Sequence, residues 1–436
     1  MIRGVGWVQM ALLTAAVARS AAAVWAAVWS IRGDYYASLP GAYVRTVNPT
    51  LWNSSDLQQA WGYQLNTYFH GPVQYLTLYP VAYFDSYAAI AQFLLPIYAM
   101  VLGAGFWLLR GAANALTSRR PLTVPLLAST FLFFPLLQAF IQREFEVIVF
   151  LALAASLWLL VHDRRQSAAA ALAYITWFKY VPLLFVGYLG LRRWFKELGV
   201  FAVVSVVILT AAQLLFGLDL FVNNNVPGHA AQVFNLWNYG FERRVGHEFW
   251  FGTGFCYGWI ESETTLANVR HALCALAFRA PWLPPHWIYL AICMAIAAVY
   301  LAVHHRLERG RPLPTDRERW RRAIELSIVT TVCACFFFNH YYYLIVLIIP
   351  LNVLLARYLT DGRRPRLALW GIAYFLLSAF VVPTSVLSQL TGVDVWALYI
   401  KGAFFLWGEL LLVYLLLREY GDVTDGPRRH RVAEIF

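Results

Sequence analysis

Charge is the first thing this sequence lacks. Only 13% of its 436 residues are Asp, Glu, Lys or Arg, against about 25% in a typical soluble domain. A chain so poor in charge has too little polar surface to cover itself in water. Lysine is scarcer still: Lys179, Lys196 and Lys401 are the only three among 34 basic residues. That Arg excess, with the many Ala, points to a GC-rich bacterial genome. No nucleotide-binding glycine loop, internal repeat or low-complexity tract appears. The first absence argues against a nucleotide-sugar site, the second against a duplicated transporter architecture. Cysteine is sparse, and none of the five has metal-ligand spacing. Cys333 and Cys335 lie inside an apolar run, while Cys256 and Cys274 share one segment and could be a disulfide or two free thiols. Neither a metal nor another cofactor is expected.

Apolar residues fill the space that charge leaves. The chain is 60% hydrophobic and 17% aromatic, as expected of a bilayer protein whose Trp and Tyr settle at the interfaces. A helix needs about 20 apolar residues to cross the hydrocarbon core. Ten stretches qualify: 6–31, 86–109, 122–140, 143–161, 197–217, 286–304, 323–338, 341–356, 367–385 and 396–417. The first resembles a signal peptide, but it is long and lacks an A-x-A cleavage site, so a retained anchor helix is expected. The fold class is therefore all-α: a polytopic transmembrane bundle, 1–436 forming one integral membrane domain. A monomer is expected.

The net charge of +11 follows topology rather than nucleic acid. Six basic clusters, around Arg110/Arg119/Arg120, Arg164/Arg165, Arg192/Arg193/Lys196, Arg306–Arg322, Arg357–Arg366 and Arg418–Arg431, hold 23 Lys and Arg. The segments between them, 32–85, 141–143, 218–285, 339–340 and 386–395, hold seven. The positive-inside rule puts both termini and all six clusters in the cytoplasm of a bacterial plasma membrane. Both ends of 167–191 are then cytoplasmic, and about 25 residues cannot cross twice. A re-entrant hairpin of two half-helices, broken near Lys179-Tyr180-Val181-Pro182, satisfies both conditions. Its tip should line a cavity, because irregular backbone at membrane depth must be satisfied by protein or water. The long outer segments 32–85 and 218–285, rich in Tyr, Trp, Asn, Gly and Pro, read as interfacial helices.

Polar residues in or beside apolar segments are the candidates for chemistry. Asp34 opens the first outer segment, and reads either as an interfacial carboxylate or as a general base whose proton affinity is raised by aromatic burial. His70 precedes a Gly-Pro break and forms either a plain turn or a sugar or phosphate contact. Gln142, Arg143 and Glu146 lie at an outer helix end; Gln142 and Glu146 are spaced to share a face and suit sugar hydroxyls. Lys179, at the hairpin break beside Trp177, Phe178 and Tyr180, is either a snorkelling anchor or a cation for a lipid phosphate. Lys401 reads as an anchor. His247 and Glu248, near Trp250 and Trp259, read either as part of a solvated loop or as an aromatic-rich sugar-binding surface. His340 and the three Tyr after it are either an aromatic belt or one wall of a site.

At these residues the chain resembles the polyprenyl-phosphate-mannose-dependent alpha-mannosyltransferases of the GT-C superfamily, familiar from actinobacterial phosphatidylinositol mannoside and lipomannan synthesis. Asp34-Tyr35-Tyr36, with Tyr68-Phe69-His70-Gly71-Pro72, is similar to the family's Asp-x-x-Val-Tyr opening and Tyr-Pro-Pro segment. Gln142 through Ala173 to Lys179, Pro182 and Arg192-Arg193 resembles its Gly-x-Gln-x-Asn helix and Lys-x-x-Pro hairpin. Asn339-His340-Tyr341-Tyr342 resembles its late His-Tyr turn. Glu146 stands roughly where the family often has Asn. The resemblance implies inverting transfer from a polyprenyl-phosphate sugar to a lipid or glycan hydroxyl at the outer face. Asp34 would act as base, with Lys179, His340 and Arg143 at the donor phosphate. The alternatives are a flippase for a lipid-linked saccharide, or a related transferase using another sugar such as arabinofuranose. Membrane lipids, the donor and the acceptor are the expected partners, and nucleic acid is not.

Overall fold

A computed structural model describes residues 2–32, 87–117, 122–141, 146–179, 184–216, 313–337, 341–378 and 394–425, with a few positions between 73 and 80 and between 273 and 295. The described residues are almost entirely helical, and none is in a strand. In chain order the helices are α1 (Ile2–Arg32), α2 (Tyr87–Thr117), α3 (Thr123–Phe131), α4 (Phe134–Ile141), α5 (Glu146–Val161) and α6 (Arg165–Lys179). There follow α7 (Leu184–Leu191), α8 (Phe195–Phe216), α9 (Thr315–Phe337), a 3-10 helix (Tyr341–Leu347), α10 (Ile348–Asp361), α11 (Arg364–Ser378) and α12 (Asp394–Asp425).

Among the described residues, Gly6–Val28, Gln92–Thr117, Phe195–Ala212 and Leu344–Asp361 are long and apolar enough to cross a membrane. The pair α3 and α4 would make a fifth, bent by 57° at its break. Pro135 in the first turn of α4 explains that break: it offers no N–H to the Phe131 carbonyl, and its ring crowds that carbonyl. The 122–140 stretch is thus two helices. The expected stretch 143–161 yields the 16-residue α5, shorter than a full crossing. Conversely, α2 runs past Arg110 to Thr117, and α9 begins at Thr315, taking in half of a basic cluster expected in a loop. The 286–304 stretch and most of both long outer segments lie outside the described residues.

The helix directions define two poles. α2 and α5 run parallel along a close contact. A Cβ on Gly105 would come 2.6 Å from the Phe150 ring, and one on Gly111 3.1 Å from Trp158. A side chain at Gly105 would force the Phe150 ring to move, and one at Gly111 would press more lightly on Trp158. α5 turns back at His162–Arg164 into α6, which packs along it. Asp163 takes a left-handed φ of 60°, and the amide of Arg164 donates to the Leu159 carbonyl (2.8 Å), closing the helix end. Arg193 (φ 53°) closes α7 and Gly362 (φ 67°) closes α10 in the same way. All three turns lie at one pole.

That pole is charged. Arg192, at the end of α7, lies 2.8 Å from Glu325 and 2.9 Å from Glu318, both on α9. Glu325 also accepts from Arg321 (3.0 Å) and from the Tyr420 hydroxyl (2.9 Å) on α12. The indole of Trp194 is ringed by the guanidiniums of Arg165, Arg192 and Arg322 at 5.2–5.6 Å. Beside this group, Glu419 of α12 takes Arg357, Arg363 and Arg366. Arg357 stacks 5.0 Å from the Trp320 ring and joins the two groups. The basic clusters from α5 to α12 therefore converge on one end of the bundle, and most of their guanidiniums face carboxylates.

Between the poles the core is apolar, with a small polar layer. Asn352 of α10 accepts from Ser129 and donates to Thr130 (3.2 Å), while the Tyr374 hydroxyl donates to the Ser129 carbonyl (2.8 Å). These bonds lie beside the α3–α4 break and tie α10 and α11 to it.

Candidate active site

Of the candidate residues, Glu146 lies at the pole opposite the charged one. Glu146 opens α5, and its carboxylate lies at the positive end of the helix dipole. It is 3% exposed, far more enclosed than an interfacial residue needs to be. Lys179 closes α6. Because α5 and α6 are antiparallel and of nearly equal length, 16 and 15 residues, Lys179 ends close to the level of Glu146. The 3-10 helix that follows His340 packs against α4, α5 and the far end of α9. The backbone thus brings the start of α5, the end of α4 and the Tyr341 turn to the same pole.

The first outer segment reaches the same region. The Thr77 hydroxyl lies 2.9 Å from the Tyr174 hydroxyl on α6 and donates to the Val73 carbonyl (2.7 Å). Tyr174 is five residues before Lys179, or about 7.5 Å along the helix. Thr77 is therefore tied to α6 near its Lys179 end.

Asp34, His70, Gln142, Arg143, His247, Glu248 and His340 lie outside the described residues, as does the Lys179 side chain. The expected shared face of Gln142 and Glu146 lies there too, since α5 is described only from Glu146. α6 ends at Lys179 and α7 begins at Leu184, and the expected hairpin break at 180–183 lies outside the described residues. Arg165, at the start of α6, and Arg192, just after α7, both meet Trp194.

The model of one enzyme family matches residues 68–317, more than half of the chain. The chain belongs to glycosyltransferase family 87. No curated protein and no solved structure shows a significant match to it. Membership makes it a glycosyltransferase, and with its apolar helices a membrane protein of the GT-C type. The matched range runs from Tyr68 to Arg317 and so includes Thr77, Arg143, Glu146 and Lys179, while Asp34 and His340 lie outside it.

Several ionisable groups of this family 87 member escaped the sequence reading. Arg19 lies midway along α1, half-buried between the buried Ala16 and Ala23 on the face that packs against α3 and α4. It is within electrostatic reach of Tyr374. Glu409 of α12 is 1% exposed and hydrogen-bonded by the Cys335 thiol of α9. Both lie about ten residues or more from the charged pole, at membrane depth. Their signal was in the sequence: a lone charge inside an apolar run. Among the described residues, no group of three or more His, Cys, Asp or Glu is placed to hold a metal ion.

Proposed function

We propose that this protein transfers a sugar, mannose being the first candidate, from a polyprenyl-phosphate donor to a lipid or glycan hydroxyl at the outer face of the bacterial plasma membrane. The observation that carries this reading is the pole opposite the arginine–carboxylate layer. There Glu146 is buried at the start of α5, against which both α6 and the 3-10 helix beginning at Tyr341 pack. With the basic layer on the cytoplasmic side, that pole faces outward, where lipid-linked rather than nucleotide sugars are available.

Asp34 is assigned as the base that deprotonates the acceptor hydroxyl. The hydroxyl oxygen then attacks the anomeric carbon as its bond to the phosphate oxygen breaks, which inverts the anomeric centre. Lys179 and His340, assisted by Arg143, meet the negative charge that develops on the departing lipid phosphate. Glu146, Gln142, His70, His247 and Glu248 are assigned to sugar and acceptor hydroxyls. The tip between α6 and α7 is read as a re-entrant hairpin entering and leaving at the cytoplasmic layer; the shared contact of Arg165 and Arg192 with Trp194 supports it.

A donor series tests the proposal. Purified protein would be given polyprenyl phosphates bearing mannose, glucose or arabinofuranose, each with a lipid extract as acceptor, and glycolipid products measured by mass spectrometry. Transfer from the mannose donor is expected to exceed the others at least tenfold. Transfer from a nucleotide sugar alone would refute the donor class, and movement of donor between leaflets without product would favour a flippase.

A further inference from the structure

We propose that the Trp158 end of the α2–α5 pair binds the headgroup of an anionic phospholipid from the leaflet bordering the charged pole. The absent Cβ of Gly111 lets the Trp158 indole lie against α2, one residue from Arg110. From the other side, the Arg164 guanidinium is 5.5 Å from the indole centroid, and the His162 ring is 4.4 Å away. His162 Nδ1 lies 2.8 Å from the Trp158 carbonyl oxygen and must therefore donate to it, which fixes the ring beside the indole. One guanidinium and an imidazole thus lie against the Trp158 indole, and Arg110 is the residue next to the Gly111 on which the indole packs.

Most of the arginines packed into this pole have counter-ions, although among the described residues Arg317, Arg364 and Arg418 show none. Arg165, Arg192, Arg321, Arg322, Arg357, Arg363 and Arg366 each have a carboxylate within 4 Å. Among the described residues neither Arg110 nor Arg164 does. The adjacent carboxylate, Asp163, is taken by Arg322 at 2.6 Å and Arg165 at 3.4 Å. The Arg110 Nε is buried without a hydrogen-bond partner, and so is the side-chain oxygen of Asn114, one turn along the same face. Turned over, that amide offers a second N–H donor. A phosphodiester supplies the missing acceptors and the missing negative charge. A choline headgroup brings its own cation and competes for the same place. The site is separate from the transfer chemistry and holds whichever way the chain is oriented.

Native mass spectrometry on the purified full-length protein, equilibrated with mixed phosphatidylglycerol and phosphatidylcholine, tests this. Preferential retention of phosphatidylglycerol is expected. The double variant Arg110→Gln/Arg164→Gln should weaken it on the order of 20-fold, from two surface cations at roughly fivefold each. Arg319→Gln, which removes a half-exposed charge paired with Asp316 at the same pole, should leave retention within about twofold. Arg110→Lys/Arg164→Lys, keeping both charges, should retain most of it. Equal retention of the two lipids by the unaltered chain would overturn the proposal, and that comparison needs no variant to fold. So would an equal loss in Arg319→Gln. Displacement by millimolar inorganic phosphate would assign the cations to a free anion instead.

Discussion

Glu325 shows how much a single residue can hold. It is 2% exposed and accepts contacts from two arginines and a tyrosine drawn from three parts of the chain. Removing one partner of such a group leaves buried charge uncompensated, which costs about 3–5 kcal/mol. Glu325→Ala is expected to lower stability by that amount, read as a fall in the midpoint of thermal unfolding in detergent. Burial alone would lower the Arg192 guanidinium's proton affinity, but the Glu325 carboxylate beside it outweighs that and raises it; Arg192 stays charged throughout. Asp422 behaves in the opposite sense. Burial works against its ionisation, yet hydrogen bonds from Arg366 and Arg363 hold its carboxyl below the usual value. A carboxyl lowered in the folded state adds stability above its unfolded value, and that stability is lost as pH falls through the lowered one. Asp422→Asn should therefore narrow the stability difference between neutral and strongly acidic solution, measured by unfolding midpoints across pH. The Arg321/Glu325 and Glu318/Arg322 spacings on one helix face were readable in the sequence. Arg192 to Glu325 was not, since it joins residues more than a hundred positions apart.

Among the elements, the close approach of α2 to α5 is the most exacting. Gly105→Ala places a Cβ against the Phe150 ring, and overpacking of this kind costs about 1–3 kcal/mol. Combining it with Phe150→Leu should recover most of the loss, as seen in unfolding midpoints, whereas additive losses would rule out the contact. Helix existence was largely legible: long apolar runs gave α1, α2, α8 and α12 close to their expected places. Helix ends were less so. The α3–α4 break carries its signal in Pro135, which an apolar window passes over because proline does not interrupt hydropathy. α9 begins upstream of its apolar run because Arg and Glu propagate a helix well, so charge that marks a membrane boundary need not mark a helix boundary. The candidate site was legible only as a set of outer-side residues. The packing of α6 and the 3-10 helix on α5, whose first residue is Glu146, joins distant parts of the chain, and no local pattern records it.

For the whole molecule, orientation and chemistry are linked. The charged layer is read as cytoplasmic and the opposite pole as the outward catalytic one. In a chain whose five natural cysteines are replaced, Lys196→Cys should be labelled by a membrane-impermeant maleimide only after the cytoplasmic side is opened; labelling of intact cells would reverse the orientation. The central claim is that transfer from the lipid-linked donor runs through Asp34. The most direct measurement is mannose transfer from polyprenyl-phosphate mannose by the purified protein and by its Asp34→Asn variant, the two matched for folding by unfolding midpoint. The expected result is an alpha-linked mannoside from the first and a loss of at least about a thousandfold in the second, the upper part of what a positioned general base contributes. Undiminished transfer by Asp34→Asn would contradict the account.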